Sequence, residues 1–126
     1  MDIEIDIDSP MPVYEQLTQQ VIQGVLRGTL SAGDAMPSIR QLASDLELNH
    51  NTVAKAYKQL ESQHVLLTAG RKGTFIHDKA AMQITQNNSQ GAQFQLDELV
   101  TSFTAKGMSA SDIRVLLTKQ LQKLKE

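Results

Sequence analysis

The 126-residue chain has the length of one ordinary domain, or of a small domain with an appendage. Its shares of apolar residues (40%) and charged residues (21%) are typical of a globular protein rather than a disordered one. The absence of cysteine excludes disulfides and thiolate chemistry, and no apolar run is long enough to span a membrane. Because the acidic amino terminus is also unlike a signal peptide, we expect a cytoplasmic protein without membrane contact.

The formal net charge of −2 does not by itself favour nucleic acid as a partner, but the charge is unevenly distributed. Residues 1–35 carry six acidic residues and one basic residue, a net of −5. Residues 36–76 carry three acidic and five basic residues, a net of +2. A DNA-binding face needs positive charge only where it meets phosphates, so the composition permits DNA binding without requiring it.

The first elements along the chain are a strand and a helix. Isoleucine and acidic residues alternate over residues 3–7, which predicts a short, solvated edge strand. From Val13, apolar residues recur at helical spacing as far as Gly28, which is expected to end the helix. A turn is predicted at Gly33-Asp34.

Two short helices are predicted next, in quick succession. Ser38 is expected to cap the first helix, in a capping box with Gln41. Asn49 is expected to cap the second helix. The buried stripe of that second helix is expected to comprise Val53, Ala56, Tyr57 and Leu60. Only a few residues separate the two helices, which is typical of a helix-turn-helix.

The residues after these helices predict a β-hairpin. Two β-rich runs, 65–68 and 74–77, flank a glycine-bounded basic tip at residues 69–73. A hairpin placed directly after a helix-turn-helix is the wing of a winged helix. The expected fold class is therefore mainly α with a small β-hairpin wing, with a winged helix-turn-helix DNA-binding domain over residues 1–78.

Residues 79–126 are expected to form a linker and a two-helix tail, a C-terminal helical hairpin. The polar stretch 79–91 reads as a linker or an irregular helix start, and Gly107 and Ser109 separate two helices. Their apolar faces comprise Phe94, Leu96, Leu99, Val100 and Phe103, and then Ile113, Leu116, Leu117, Leu121 and Leu124. These faces need the main domain or a second copy to cover them. The tail is expected to be too small to enclose a ligand pocket of about 300 Å³.

The candidate DNA contacts lie on the two short helices and the hairpin. Arg40 can offer a bidentate fork to guanine or grip a phosphate, and Asn51 can read adenine. Helix capping alone explains Asn49, and a solvated helix face accounts for Lys55 and Lys58 as well as phosphate contacts do. The remaining candidates are His50 and Thr52 beside Asn51, and Arg71 and Lys72 at the basic tip.

Residues that carry chemistry are poorly represented. His50, His64 and His77 lack metal-ligand spacing with one another or with carboxylates. The sequence has no glycine-rich phosphate loop and no nucleophile motif. We therefore expect no enzyme activity, no cofactor and no metal.

The helix-turn-helix and hairpin residues, with the segments before them, resemble the GntR family of bacterial transcription regulators. The similarity covers about residues 3–77 in unbroken order. The matching segments include 12–17 (PVYEQL), 36–43 (MPSIRQLA), 51–53 (NTV) and 73–76 (GTFI). His64 stands where the family usually has a glycine, so a left-handed histidine or an altered helix end is expected. His50 stands where proline is common.

The resemblance implies a set of DNA contacts and a role for the tail. The implied DNA-contacting residues are Ser38, Arg40, Asn49, Asn51, Thr52, Arg71, Lys72, Gly73 and Thr74. The short tail looks like that of the YtrA-type branch, in which the tail serves dimerisation and whose members often repress transporter operons. The expected dimerisation residues are Leu96, Leu99, Val100, Phe103, Ile113, Leu116, Leu117 and Leu121.

The leading hypothesis is a homodimeric, sequence-specific repressor that binds a palindromic operator in double-stranded DNA. The alternative is a winged-helix module that binds protein and has no specific DNA binding. The polar cluster at residues 49–52 and the basic hairpin tip favour DNA. No residue identifies a small-molecule effector or its site.

Overall fold

A computed structural model describes residues 2–124. Within that range the chain has five α-helices and one three-stranded antiparallel sheet, which confirms the expected fold class. The helices are α1 (Val13–Arg27), α2 (Ile39–Leu46), α3 (His50–Ser62), α4 (Ala80–Ala105) and α5 (Ala110–Gln122). The strands are β1 (Ala35–Met36), β2 (Leu66–Thr68) and β3 (Thr74–Ile76). Residues up to Asn87 form one compact unit, and residues from Asn88 onward form a second.

The core of the first unit is aliphatic and is built around α1 and α3. Leu17 and Val21 of α1 are almost fully buried, as their helical spacing predicts. The predicted stripe of α3 is confirmed, because Val53, Ala56, Tyr57 and Leu60 are all buried. Leu42 and Ala43 of α2 and, at the start of α4, Ala80 and Ile84 also belong to this core.

The sheet has the strand order β1-β3-β2. The predicted hairpin is confirmed as β2 and β3, with Leu67 opposite Phe75. The sequence did not indicate β1, which is only two residues long and pairs with β3 on its other side. Because the hydrogen-bonding partner of β1 is distant in the chain, the two residues carry no local strand pattern.

Left-handed backbone ends α1 and follows α3, as expected. Gly28 ends α1 with φ 83°, and its N–H donates to the Val25 carbonyl. His64 lies just after α3 with φ 59°, so the expected left-handed histidine is confirmed. The N–H of Val65 then donates to the Leu60 carbonyl at 2.9 Å. Histidine tolerates this conformation better than most side chains, although it lacks the freedom of glycine.

The strand predicted over residues 3–7 was wrong, because side chains of α1 take the place of a neighbouring strand. The Glu4 N–H donates to Gln20 Oε1 at 3.0 Å, and Gln20 Nε2 donates back to the Glu4 carbonyl at 2.7 Å. Gln16 holds Asp6 in the same reciprocal way, with both distances 2.9 Å. The two carboxamides satisfy the backbone groups that a strand would offer to a sheet.

From Ala80 onward the stretch 79–91 is helical rather than a linker or an irregular start, because α4 runs without interruption from Ala80 to Ala105. Ala80 and Ile84, one turn apart, are buried and anchor its first turns. Polar residues such as glutamine are good helix formers, and the single Gly91 costs only about 1 kcal/mol. The predicted break and restart are confirmed: Gly107 has φ 88°, and Ser109 forms a capping box with Asp112.

Within residues 2–124, no helix combines the length and the apolar character needed to cross a membrane. In the same part of the chain, no three histidine, aspartate or glutamate side chains are grouped so that they could hold a metal ion.

Tyr57 joins α3 to the segment that precedes α2. Its ring is buried in the core, and its hydroxyl donates to the Pro37 carbonyl at 2.7 Å. Burial raises the pKa of the Tyr57 hydroxyl to about 12, because the phenolate would lose its hydration. The neutral phenol is therefore the form that the folded protein favours.

This burial predicts a loss of stability at high pH. Since the pKa is higher in the folded state than the unfolded value of about 10, the contribution is present below pH 10 and is lost as the pH rises towards 12. In a Tyr14→Phe variant Tyr57 is the only tyrosine, so absorbance near 295 nm should report its ionisation with a midpoint near pH 12. Tyr57→Phe should weaken the alkaline dependence of urea unfolding. A Tyr57 midpoint near pH 10 would contradict the buried hydroxyl.

Candidate nucleic-acid interface

The start of α2 places Ser38 and Arg40 on the surface. Ser38 caps the helix, because its Oγ accepts a hydrogen bond from the Gln41 N–H at 3.1 Å. The second half of the predicted capping box is wrong: Gln41 Nε2 donates to Asp45 Oδ1 at 2.7 Å instead of reaching back. Arg40 is exposed. The exposed end of α2 therefore carries one cationic fork and a serine hydroxyl.

The turn from α2 to α3 is tight. Glu47 adopts left-handed backbone with φ 56°, which sequence reasoning did not anticipate. The Leu48 N–H donates back to the Ala43 carbonyl at 2.9 Å, which satisfies one of the last carbonyls of α2. Asn49 then caps α3 as predicted, since its Oδ1 accepts from the Asn51 N–H at 2.8 Å. The cap occupies the Asn49 oxygen and leaves its amide N–H groups available.

The outward face of α3 is a row of three polar side chains. Successive residues of an α-helix are about 100° apart, so Asn51, Lys55 and Lys58 fall within about 60° of one another, opposite the buried stripe. All three are exposed. His50 and Thr52 lie about 100° to either side of Asn51, on the flanks of the row. We refer to Asn51, Lys55 and Lys58 as the outward row.

The hairpin presents its basic tip on a single turn of 3-10 helix. Arg71 and Lys72 belong to this turn, Gly70–Lys72, and both are exposed. Gly73 follows with φ 107°, a backbone conformation that favours glycine. Thr74, the first residue of β3, is half-buried.

A hydrogen bond connects the hairpin to α3. The Thr68 hydroxyl donates to Glu61 Oε1 at 2.6 Å and lies 3.4 Å from the Thr74 hydroxyl. Both strands of the hairpin thus take part in one network with the last turn of α3. Sequence reasoning missed Thr68 and Glu61. Glu61 belongs to a helix and Thr68 to a strand, so neither helical nor strand periodicity relates the two positions.

Tyr14 is a further residue of this surface that sequence reasoning missed. The Nζ atom of Lys55 lies 3.9 Å from the centroid of the Tyr14 ring, within the range of a cation–π interaction. The aromatic residue stands near the start of α1, and it is half-buried. In the sequence, Tyr14 was notable only as part of the segment that resembles GntR regulators. That resemblance did not indicate a contact with Lys55.

The structure therefore brings the candidates of the first unit onto α2, α3 and the hairpin. Positive side chains are exposed on all three elements: Arg40, Lys55, Lys58, Arg71 and Lys72. The backbone of the acidic amino-terminal segment is held on α1 by Gln16 and Gln20. A surface of this kind can meet phosphates with its cations and base edges with the amide of Asn51.

The tail residues lie in the second unit and form a partly open apolar surface. Ile113 is buried, Val100, Phe103 and Leu117 are half-buried, and four leucines remain exposed: Leu96, Leu99, Leu116 and Leu121. Including Phe94 in the first apolar face was wrong, because it lies about 200° around α4 from Leu96. Phe94 lines a different surface hollow, together with Asp97 and Glu98.

The α4–α5 hairpin also leaves an apolar groove. Its volume is about 520 Å³, and its lining includes Val100, Met108, Ile113, Leu117 and Leu121. The sequence predicted that the tail could not enclose a pocket of about 300 Å³. The volume of the groove exceeds that figure, but the groove is open to solvent and is not an enclosed pocket.

Comparison with known proteins identifies relatives of this chain. The family model described as bacterial regulatory proteins, gntR family, matches residues 13–76. The HTH-type transcriptional repressor YtrA of Bacillus subtilis (strain 168) is 38% identical over 98 residues, which cover 78% of this chain and 75% of the relative.

Solved structures extend the similarity beyond the matched segment. A transcriptional regulator from Oenococcus oeni is 34% identical with a TM-score of 0.68, covering 93% of this chain and 97% of its own. YtrA from Sulfolobus acidocaldarius, a GntR-family transcription factor, is 27% identical with a TM-score of 0.56, covering 98% of this chain and 100% of its own. The likeness therefore includes the helical tail as well as the winged helix.

The cap of α3 yields a testable prediction. Asn49→Ala should lower the free energy of unfolding by about 1 kcal/mol in urea titrations, because the Asn51 N–H loses its acceptor. Asn49→Ser should retain most of the stability, since a serine hydroxyl also caps. Asn51→Ala is the matched control on the exposed face and should change stability by less than about 0.5 kcal/mol. Equal losses in the alanine and serine variants at position 49 would contradict the capping role.

Proposed function

The chain belongs to the gntR family of bacterial regulatory proteins and is a transcriptional regulator with a DNA-binding helix-turn-helix, and from this premise we propose that it is a homodimeric repressor of a palindromic operator. Residues 1–78 would bind DNA and residues 79–126 would join the two copies. The observation that carries the proposal is the outward row of α3, together with the exposed Arg40 on α2 and the exposed basic tip of the hairpin.

The geometry of α3 supports a division of labour among its residues. The outward row suits the major groove, where Asn51 at the amino end would read a base edge and Lys58 further along would meet a phosphate. His50 and Thr52, on the flanks, would contact the groove walls. Asn49 would donate its free amide N–H groups, because its oxygen is engaged in the cap.

The remaining contacts would come from α2 and the hairpin. The Arg40 guanidinium would form a bidentate hydrogen bond with guanine or bind a phosphate beside the Ser38 hydroxyl. Arg71 and Lys72 would enter a minor groove or bind flanking phosphates. Gly73 and Thr74, which follow them in the hairpin, would also contact the DNA. The hydrogen bond between Thr68 and Glu61 would fix the distance between hairpin and recognition helix.

The exposed apolar surface of the tail supports the proposed dimerisation. Leu96, Leu99, Leu116 and Leu121 are between two-fifths and two-thirds exposed in the single chain. Completing the burial of one such leucine contributes about 1 kcal/mol, so a second copy covering these residues on both chains would supply a substantial driving force. Val100, Phe103, Ile113 and Leu117 would complete the same interface. A symmetric dimer would present two recognition helices and would favour a palindromic site.

The repressor role is supported by the Bacillus subtilis relative, which is named a transcriptional repressor. A dimer that occupies an operator blocks transcription by its presence alone. Such a regulator needs no catalytic group.

Arg40 provides the first test. With an operator selected from a random DNA pool by the wild-type protein, Arg40→Ala should weaken binding about ten- to a hundredfold and leave the dimer intact by sedimentation. Arg27→Ala is the matched control, because Arg27 is exposed at the far end of α1, about 20 Å along the helix from Tyr14. Unchanged operator affinity in Arg40→Ala would disprove its assigned role.

Leu121 provides the second test. Leu121→Asp should shift the protein from dimer to monomer in sedimentation experiments, because a carboxylate would be buried between the copies. Val115→Asp is the matched control: Val115 is 60% exposed and Leu121 is 63% exposed, but Val115 lies on the opposite side of α5 from Ile113. If both variants stay dimeric, the interface lies elsewhere. If both become monomeric, the effect is not specific to this face.

A further inference from the structure

The packing of α1 against α3 fixes an aromatic ring beside the outward row. Leu17 and Val21 of α1 are buried in the same core as Val53 and Ala56 of α3. Tyr14, one turn before Leu17, packs against the edge of this core. The position of the ring is therefore set by the helix packing and does not depend on the lysine above it.

The Lys55 ammonium lies over this ring, with Nζ 3.9 Å from its centroid. A free lysine side chain loses as much as about 2 kcal/mol of rotamer entropy when it is fixed in one geometry. A cation–π interaction at an exposed site contributes about 0.5–1 kcal/mol. The ring alone does not immobilise the lysine, but it raises the population of this conformer about two- to fivefold before any partner arrives, which offsets part of the entropy lost on binding.

The ring does not use up the hydrogen-bonding capacity of the lysine. An ammonium group has three N–H donors, and a π-face attracts the charge without supplying a directional acceptor. Lys55 is exposed, so the side of the ammonium away from the ring faces solvent. A phosphate oxygen can approach from that side and form a charge-assisted hydrogen bond.

We propose that Tyr14 is a positioning residue for DNA recognition, which holds the Lys55 ammonium over its ring so that Lys55 meets a backbone phosphate. The proposal rests on the proposed function, because it assigns a task to one cation of that interface. It distinguishes Lys55 from Lys58, three residues further along the same face. The aromatic face of Tyr14 is the active part, and its hydroxyl, which donates to Glu15 Oε1 at 3.3 Å, is not needed.

The test is a double-mutant cycle on operator affinity. Tyr14→Leu should weaken binding by about two- to fivefold, the loss that corresponds to one exposed cation–π interaction. Tyr14→Phe should bind within about twofold of the wild type, because it retains the ring. In a Lys55→Ala background Tyr14→Leu should have no further effect, whereas in a Lys58→Ala background it should have its full effect. Lys55→Ala should also reduce the salt slope by about one phosphate contact.

A second variant separates positioning from packing. Pentafluorophenylalanine at position 14 keeps the shape of the ring but reverses its quadrupole, so it should weaken binding as Tyr14→Leu does while thermal unfolding stays near that of the wild type. An additive effect of Tyr14→Leu in the Lys55→Ala background would overturn the proposal. A loss in Tyr14→Phe equal to that in Tyr14→Leu would also overturn it, because the hydroxyl would then be the contact. If the wild type itself shows no sequence preference, the proposed function fails together with this inference.

Discussion

The hydrogen bond from the Tyr57 hydroxyl to the Pro37 carbonyl joins the two helices of the helix-turn-helix at the point where α2 begins. Its donor lies on α3 and its acceptor lies one residue before the Ser38 cap. Because the ring is buried, breaking the bond would leave a polar hydroxyl unpaired in an aliphatic core. The bond therefore ties the amino end of α2, which carries Ser38 and Arg40, to α3, which carries the outward row.

Side-chain hydrogen bonds hold segments of the first unit together at two other places. Gln16 and Gln20 pair with the backbone of Asp6 and Glu4 and hold the acidic segment on α1. Thr68 and Glu61 join the hairpin to the end of α3. Each contact satisfies a polar group that would otherwise bond to water, and each fixes the position of a segment that the small sheet cannot hold alone.

The charge distribution shows why a chain with a net charge of −2 has a cationic face. The backbone of Glu4 and Asp6 is tied to α1, while Arg40, Lys55, Lys58, Arg71 and Lys72 are exposed on α2, α3 and the hairpin. Affinity for phosphates depends on local potential, which falls off within about 10 Å at moderate salt. Overall composition therefore understates the nucleic-acid character of this surface.

The sequence by itself determined the elements whose signals are local. Helical spacing, the Ser38 and Asn49 caps and the glycine-bounded tip all follow from interactions within a few residues, and the structure agrees with them. The left-handed His64 was expected only from the resemblance to GntR regulators. The outward row of α3 also followed from its period. Only the tertiary structure decided what depends on distant partners: β1, the docking of residues 4 and 6 on α1, and the contact between Tyr14 and Lys55. The physical reason is that a hydrogen bond or a ring contact between residues far apart in the chain leaves no periodic trace in either segment.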